Sequence, residues 1–552
     1  MKQKLIIKSF HDFIVSFILM IINPACSALF LRLFGNDKMN KRIIVMSILG
    51  RIFFTGIMAT VFSCSFHHPS FSKPNQPKSA KNVILLISDG AGFNTFEAGN
   101  YYQFGEKMPE LYRDFSVKIA SKTDMLNFID KTTNEPVELD SSYLVCPGCK
   151  IFQDCSCDYS KWYSKPQGYD PLKMWKSFDY VKEDDNYLAF TGSAAAATAL
   201  YTGEKTTRGR MGMMWDEFPL PSIAEVADVL GKSTGVVSSV PLSHATPGAV
   251  WSHQKNRNMY TDIANEMIYY SGLDVIMGCG DPMDNMEYIY VGGEKTWADI
   301  IDKDGANGFV YIHGVDAFES LANGEIEGGI PAKVIGIPHA TKTLSDNPND
   351  VPTLETMAMG AIQVLSQNPN GFFLMIEGGA VDWKNHANNI DAMVKEQADF
   401  NNTVAAVKDW VEKKSSWKET LVIVTSDHEC GMLWGPKTYT DNDCGREGKC
   451  KSGYYDAGID TFNDWQHIVG NGRNQIPGVQ YGSKGHTRAL VPVFAKGVGA
   501  EMFFVLVDGV DTRAGLFWGF SGQYIDNTDI FTVMEAVMNP HVNYSKAQSP
   551  NS

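Results

Sequence analysis

The sequence contains no stretch in which lysine and arginine alternate with aromatic residues, and its 48 Lys and Arg residues are outnumbered by 63 Asp and Glu residues. The resulting formal net charge of -15 at pH 7 repels polyanions. We therefore expect no general affinity for nucleic acid, and any site that binds an anion must be local.

Low-complexity composition is also missing. Of the 552 residues, 44% are hydrophobic and 20% are charged, which is the balance of an ordinary globular protein. This balance excludes the disordered and fibrous classes and provides enough apolar material for a large core. Length alone suggests roughly three or four domains, but large α/β enzymes often exceed that estimate within one domain. We expect one main domain with insertions.

The N-terminal region has the composition of a targeting segment. Basic residues at 38–42 precede an apolar run at 43–62, which ends in Val-Phe-Ser-Cys at Cys64, as in bacterial lipoprotein signals. A second apolar run at 13–34 leaves a membrane anchor or hairpin as the alternative, although Arg51 interrupts the later run. We expect export to the periplasm or outer surface, with Cys64 as the candidate for a lipid anchor to the membrane.

The expected domain boundaries follow from this composition. Residues 1–64 are the targeting segment, and residues 65–80, rich in Ser, Pro, Lys and His, suit a flexible tether. The folded domain is expected at 81–545, with insertions near 103–180 and 432–480.

The ten cysteines fit an exported protein, because disulfides persist outside the cytoplasm. Local disulfides within the two insertions are the favoured interpretation for six of them. A four-thiolate zinc site in the first insertion is the alternative, but its spacing is shorter than in usual structural zinc sites. Cys279 and Cys430 are interpreted as small packed residues. The six are Cys146, Cys149, Cys155, Cys157, Cys444 and Cys450.

Three short apolar runs are each followed directly by acidic or histidine residues. Continuous apolar runs indicate strands buried on both faces, and helical patterns at 352–366 and 390–413 lie between them. This order predicts a large, mostly parallel central sheet with helices on both faces. Ligands of such sheets gather at the carboxyl ends of the strands. The runs are 83–87 before Asp89, 372–376 before Glu377, and 421–425 before Asp427 and His428.

Asp382 and His386 lie four residues apart, so a helix would place both on one face, where they could hold one ion. Taken alone, such a pair is usually a solvated helix face, but here it closely follows Glu377. His486 precedes another apolar run at 491–495 and could add a nitrogen ligand from the same end of the sheet.

Ser193 directly precedes a strongly helix-favouring run at 194–201. It would lie at the N-cap or in the first turn, where free backbone N–H groups and the helix dipole favour an anion. From this segment alone, an ordinary N-cap serine is the more frequent explanation, and a nucleophile is the alternative.

Six motifs, in this order and spacing, resemble those of alkaline phosphatases. The likeness covers roughly 81–540, apart from the insertions, and implies the α/β fold of that family. It also implies hydrolysis of phosphate monoesters through a phosphoserine intermediate on Ser193. The motifs are Asp-Gly-Ala-Gly at 89–92, Gly-Ser-Ala-Ala-Ala-Ala-Thr-Ala at 192–199, His-Ala-Thr-Pro-Gly-Ala at 244–249, Glu-Gly-Gly-Ala-Val-Asp-Trp-Lys-Asn-His at 377–386, Thr-Ser-Asp-His at 425–428 and Gly-His-Thr at 485–487.

The resemblance implies two zinc ions (Zn2+) and a third site that is usually filled by magnesium (Mg2+). His244 would ligate the third ion directly or through water, or would only line the pocket. Arg257 falls where the family carries the arginine that clamps phosphate. The remaining ligands carried over are Asp382, His386 and His486 for one zinc ion, Asp89, Asp427 and His428 for the other, and Asp89, Thr246 and Glu377 for magnesium.

One departure from the family pattern lies beside the nucleophile. Gly192 stands where many relatives carry an Asp that orients the arginine, which predicts a loosely held Arg257 and faster release of phosphate. Trp383, after the ligand Asp382, is a second variation, and neither threatens the reaction class.

Three other functions remain as alternatives. Sulfatases of the superfamily need Cys or Ser in C/S-x-P-x-R, which the sequence after Ser193 lacks, and diesterases commonly use Thr without a matching arginine. A noncatalytic metal- or phosphate-binding lipoprotein is the third. The family is often dimeric, so a homodimer is expected unless the insertion near 432–480 covers the interface. Four histidines match no motif and are interpreted as surface or packing residues: His253, His313, His339 and His467.

Overall fold

The structure is a computed structural model that describes residues 79–132, 162–166, 168–175, 190–282, 287–302, 305–436 and 465–539, all within one compact unit. The predicted targeting segment with Cys64, the tether as far as residue 78 and the six cysteines of the insertions lie outside these residues. Among the helices that the structure describes, none is both long and apolar enough to cross a bilayer.

Most of the strands belong to one central sheet. Its order is β16-β17-β2-β15-β10-β1-β9-β5-β6-β8-β7, and neighbours are parallel except where β15 or β16 is involved. The strands are β1 (Asn82–Ser88), β2 (Val117–Lys122), β3 (Leu126–Asp130), β4 (Trp162–Pro166), β5 (Ser233–Pro241), β6 (Val275–Cys279), β7 (Val310–Ile312), β8 (Val334–Gly336), β9 (Phe372–Gly378), β10 (Thr420–Thr425), β11 (Glu429–Cys430), β12 (Leu433–Trp434), β13 (Gln480–Tyr481), β14 (His486–Thr487), β15 (Val491–Gly497), β16 (Gly509–Val510) and β17 (Gln523–Asp526).

Helices cover both faces of the sheet. The described helices are α1 (Phe93–Phe104), α2 (Glu110–Arg113), α3 (Pro171–Met174), α4 (Ser193–Thr202), α5 (Ile223–Val229), α6 (Ala245–Gly248), α7 (Tyr260–Tyr269), α8 (Glu294–Ile301), α9 (Val315–Asn323), α10 (Leu354–Leu365), α11 (Ala380–His386), α12 (Ile390–Lys414), α13 (Thr512–Trp518) and α14 (Thr528–Met538). Short 3-10 turns lie at Tyr288–Val291, Ala306–Gly308, Leu344–Asp346 and Ala500–Phe504.

The core has one layer on each side of the sheet, because successive residues of a strand point to opposite faces. In β1, Val83 and Leu85 pack with helices α4, α5, α7 and α14, whereas Ile84 and Leu86 pack with α1, α10 and α12. The prediction of a mostly parallel sheet flanked by helices on both faces is therefore confirmed.

The sheet also determines where the polar strand ends meet. Ile87 at the end of β1 pairs with Thr425 of β10 and with Glu377 of β9, so these three parallel strands end at one edge. Strand β15 runs antiparallel to β10, so its beginning, which follows His486, lies at this same edge. The topology thus gathers four separate stretches of sequence in one place.

The described end of the first insertion is held against the domain by hydrogen bonds. The Tyr169 hydroxyl and the Trp175 indole N–H both donate to Asp511 Oδ2, at 2.7 and 2.8 Å. Trp175 is fully buried in an aromatic cluster with Trp434 and Trp518. This segment is part of the folded core rather than a surface loop.

Candidate metal centre

The first group of metal-ligand side chains consists of Asp382 and His386 on α11 and His486 on β14. The Nε2 atoms of the two histidines lie 3.1 Å apart, and they lie 3.3 Å (His386) and 3.5 Å (His486) from oxygens of Asp382. Each Nδ1 donates to a backbone carbonyl, that of Lys484 for His386 and that of Thr191 for His486. Because Nδ1 carries the proton, each Nε2 presents a lone pair to a metal ion.

The second group consists of Asp89, Asp427 and His428, and it includes the hydroxyl of Ser193. His428 Nε2 lies 3.0 Å from Asp427 Oδ2, 3.7 Å from Asp89 Oδ1 and 3.3 Å from Ser193 Oγ. Asp427 Oδ1 accepts from the N–H groups of Gly90 and His428, at 3.1 and 2.9 Å, which holds Oδ2 towards the group. Four donor atoms from two strand ends and one helix therefore converge.

The third group shares Asp89 with the second. Thr246 Oγ1, on α6, donates to Asp89 Oδ2 at 3.3 Å, and Glu377 at the end of β9 interacts with both residues. Ser238 on the neighbouring strand β5 donates its hydroxyl to Glu377 Oε2. An all-oxygen set of this kind suits a hard cation such as magnesium.

His244 is placed less directly than the other predicted ligands. It is half-buried, its ring stacks with Tyr260 at a centroid distance of 5.9 Å, and Trp383 approaches it edge-on at 5.4 Å. Burial and the nearby charge of Arg257 lower the pKa of His244 to about 3. It is not among the groups of converging ligand atoms in the described part of the chain, so its role as a ligand stays a prediction.

The electrostatics of these groups are those expected of a cation site. Burial and the nearby carboxylates Asp427, Asp382 and Glu377 raise the pKa of Asp89, and burial raises that of Glu377 to about 7. Burial also opposes ionisation of Asp382, but His386 and His486 lower its pKa well below the usual range.

Buried oxygens without a hydrogen bond complete this picture. Within the described residues, Asp89 Oδ1, Glu377 Oε1, Asp382 Oδ1 and Asp427 Oδ2 have no hydrogen-bond partner. Leaving such groups buried and unsatisfied is costly unless a cation binds them, so the donor set fits divalent metal ions. We call the following residues the central cluster: Asp89, Glu377, Asp382, His386, Asp427, His428 and His486.

Ser193 is the first residue of α4, and Gly192 is its extended N-cap. It is 3% exposed and lies in the helix turn where backbone N–H groups have no partner within the helix. The side chain of half-buried Arg257 lies beside Gly192: a Cβ atom added to this glycine would be 3.8 Å from Arg257 Nη1. The structure therefore brings together the two residues that sequence analysis assigned to phosphate chemistry.

Sequence analysis missed Cys430, which it interpreted as a small packed residue. Cys430 is buried, but its sulfur belongs to the first group, with Asp382, His386 and His486. It also missed Asn385, which donates to Gly90 O at 3.1 Å and accepts from the Tyr481 hydroxyl at 3.0 Å. Cys430 lies in none of the six motifs, and Asn385 lies in the motif at 377–386 without a predicted role, so only the fold shows that both reach the centre.

Comparison with known proteins gives a consistent result. The sequence model of the family described as "Alkaline phosphatase" matches residues 169–539. Alkaline phosphatase 3 of Bacillus subtilis is 30% identical over 280 residues, which are 48% of this chain and 54% of that protein. Alkaline phosphatase of Escherichia coli is 31% identical over 390 residues, 64% of this chain and 70% of that protein. The chain thus spans about half the length of the Bacillus relative and more of the Escherichia one.

Solved structures show the same fold. The alkaline phosphatase of the Antarctic bacterium TAB5 superposes with a TM-score of 0.51 at 24% identity, covering 84% of this chain and 99% of that one. The cold-active enzyme of a psychrophilic Shewanella species superposes with a TM-score of 0.52 at 21% identity, covering 83% and 99%. At these identities the superpositions support the architecture alone.

Proposed function

The chain belongs to the alkaline phosphatase family, and from this membership and the central cluster we propose that it hydrolyses phosphate monoesters to an alcohol and inorganic phosphate. One observation carries the proposal. At the N-terminus of α4, Ser193 Oγ lies 3.3 Å from His428 Nε2, which belongs to the second group together with Asp89 and Asp427. A nucleophilic oxygen, a cation site and an anion-binding helix end meet at this point.

The proposed cofactors are two zinc ions, in the first and second groups, and one magnesium ion, in the third. Bound divalent ions supply positive charge next to the attacking and leaving oxygens of phosphoryl transfer. The structure supports the ligand sets through the convergence of their atoms and the buried oxygens described above. His244 would ligate the third ion directly or through water, or would line the pocket.

The proposed reaction has two covalent steps, which involve Ser193, the substrate and water. Ser193 Oγ forms a bond to phosphorus and loses its proton to solvent, while the bond from phosphorus to the alcohol oxygen breaks and that oxygen takes up a proton. Water then cleaves the phosphoserine, which releases inorganic phosphate and restores the hydroxyl. Arg257 holds two non-bridging oxygens in its planar fork during both steps.

Arg257 also favours monoesters over diesters. A monoester has non-bridging oxygens with two negative charges for the guanidinium to pair with, whereas a diester has one. A diesterase, a sulfatase and a noncatalytic metal-binding lipoprotein are the competing functions. Export, a lipid anchor on Cys64 and a homodimer belong to the proposal as well, and they rest on the sequence.

The test compares p-nitrophenyl phosphate with bis-p-nitrophenyl phosphate, before and after chelation, for the wild-type protein and Ser193→Ala. We expect a preference for the monoester that is lost on chelation, and a fall of at least about 10³-fold in turnover for Ser193→Ala. Metal content should be the same in both proteins. A diester preference, or full turnover by Ser193→Ala, would show that the proposal is wrong.

A further inference from the structure

A second set of metal-ligand residues lies at the same kind of position as the central cluster, further along the sheet. Asp281 follows the end of β6 by two residues, His313 directly follows β7, and His339 follows β8 by three residues. Strands β6, β8 and β7 are adjacent and parallel, so their carboxyl ends meet at one edge of the sheet. We call these three residues the outer cluster.

The donor atoms of the outer cluster are close enough to share an ion after a small adjustment. One nitrogen of each histidine and one oxygen of Asp281 lie within 4.8 Å of one another. The centres of the two imidazole rings are 5.6 Å apart. Asp350 Oδ2 lies 3.7 Å from His339 Nδ1 and provides a further carboxylate.

Backbone hydrogen bonds hold these side chains in place. The Ile337 carbonyl accepts from His313 Nδ1 at 3.0 Å, which orients the ring and leaves Nε2 as a lone-pair donor. The backbone N–H of Asp281 donates to Ala340 O at 3.2 Å, which joins the loops after β6 and β8. The same arrangement, a backbone carbonyl on Nδ1, orients the histidines of the first group.

We propose that Asp281, His313 and His339 bind one divalent transition-metal ion, with Zn2+ as the probe. Two imidazoles and a carboxylate form the donor set that zinc, copper and nickel prefer over calcium or magnesium. Asp281 is 1% exposed, whereas His313 and His339 are 37% and 33% exposed, so an ion can enter from solvent and meet a buried charge. The bound ion links three strand ends at the edge of the sheet.

The affinity of the outer cluster is lower than that of the central cluster. Metal–ligand bonds of about 2.0–2.2 Å require donor atoms roughly 3.5 Å apart, so the outer donors must move inward by about 1 Å. That movement orders two half-exposed side chains when the ion binds, which reduces the net binding free energy. A site of this kind fills after the central cluster.

The experiment is a calorimetric titration of the full, metal-loaded protein with Zn2+. The wild-type protein should bind one further equivalent, and this equivalent should raise its melting temperature. His313→Gln/His339→Gln should lose that equivalent and that shift, and a single substitution should weaken it at least about tenfold. His467→Gln, which changes an exposed histidine outside both clusters, should bind like the wild type.

Turnover of p-nitrophenyl phosphate separates this inference from the proposed function. The double variant should hydrolyse the substrate at the wild-type rate, because no residue of the outer cluster belongs to the catalytic machinery. The inference is overturned if the double variant still binds the further equivalent, or if Ca2+ binds to the wild type there and Zn2+ does not. The turnover of Ser193→Ala tests the proposed function alone, so its result does not affect the conclusion about zinc binding to the outer cluster.

Discussion

The central cluster and the outer cluster contain the same types of donor at the same kind of position. Each places carboxylates and histidines at the carboxyl ends of parallel strands, and Asp382 with His386 and His486 even repeats the composition of the outer cluster. Their spacing differs. The ring centroids of His386 and His486 are 4.9 Å apart, whereas those of His313 and His339 are 5.6 Å apart.

If both proposals hold, preorganisation rather than the identity of the donors separates the proposed catalytic metal centre from the proposed accessory one. Three of the central carboxylates, Asp89, Glu377 and Asp427, lie at the ends of strands in the middle of the sheet. The outer histidines lie on strands at the edge, where water competes with the ion. The central cluster also adjoins Ser193 and Arg257, the two residues of the proposed phosphate chemistry.

The largest expected effect comes from removing one ligand of the central cluster. His428→Gln should reduce kcat/KM by about 10³-fold or more, because its nitrogen lies next to both Ser193 Oγ and the Asp89 carboxylate. His313→Gln should leave kcat/KM within a factor of about two. Steady-state kinetics with matched metal analysis measures both. Comparable losses in the two variants would remove the distinction between the clusters.

The order of metal release should show the same contrast. Chelator added to the fully loaded protein should remove the outer ion at least about tenfold faster than the first central ion, since its donors are further apart: the histidine–carboxylate distance is 4.0 Å between His313 and Asp281 in the outer cluster and 3.3 Å between His386 and Asp382. Stopped-flow chelation with a coloured zinc indicator, followed in parallel with activity, resolves the two phases. Activity should persist through the first phase, and an early loss of activity would contradict the prediction.

The strand ends of the central cluster were predictable from the sequence because they have local signals, whereas the full ligand set came from the resemblance to alkaline phosphatases. The runs 83–87, 372–376 and 421–425 are long enough to show buried strands, and β1, β9 and β10 contain them. The spacing of Asp382 and His386 predicted a shared helix face, which α11 provides.

The outer cluster had no comparable signal. Strands β7 and β8 are three residues long, too short to show a period of two or a continuous apolar run. Its residues are spread from Asp281 to His339, and only the strand order β6-β8-β7 brings them together.

Close approaches across the centre could not be predicted either. Gly90 has a φ of 68°, and a Cβ atom there would lie 2.6 Å from Asp382 Oδ1. Cys430 reaches the first group for the same reason, namely tight packing between segments distant in sequence. Such contacts depend on the tertiary fold, which no local pattern encodes.

A smaller effect should come from changing the charge beside the central cluster without changing a ligand. Gly192→Asp places a carboxylate near Arg257 Nη1, and a partly exposed ion pair of this kind contributes about 1 kcal/mol. The more ordered guanidinium should lower the inhibition constant for inorganic phosphate by about fivefold. Gly192→Asn, which has the same shape without the charge, is the control. An unchanged inhibition constant in the Asp variant would rule out the loosely held arginine.

Outside both clusters, one histidine lies between two carboxylates and binds a proton rather than a metal ion. His253 lies between Glu225 and Glu266, with Nε2 3.4 Å from one carboxylate and Nδ1 3.6 Å from the other. Nε2 also donates to Leu220 O at 2.8 Å. Burial alone would lower the pKa of His253, but the two glutamates raise it to about 10. The ring is thus protonated, and both of its nitrogens carry a proton.

The smallest expected effect follows from this protonated histidine. Because its folded-state pKa is raised above the unfolded value of about 6.5, its stabilisation is complete below that pH and is lost as the pH rises through about 10. His253→Gln should therefore lower the free energy of unfolding by about 1 kcal/mol near pH 6 and by much less near pH 10.5. Denaturant unfolding of the metal-saturated proteins at both pH values measures the gap. An equal gap at both pH values would contradict the assignment of a protonated His253.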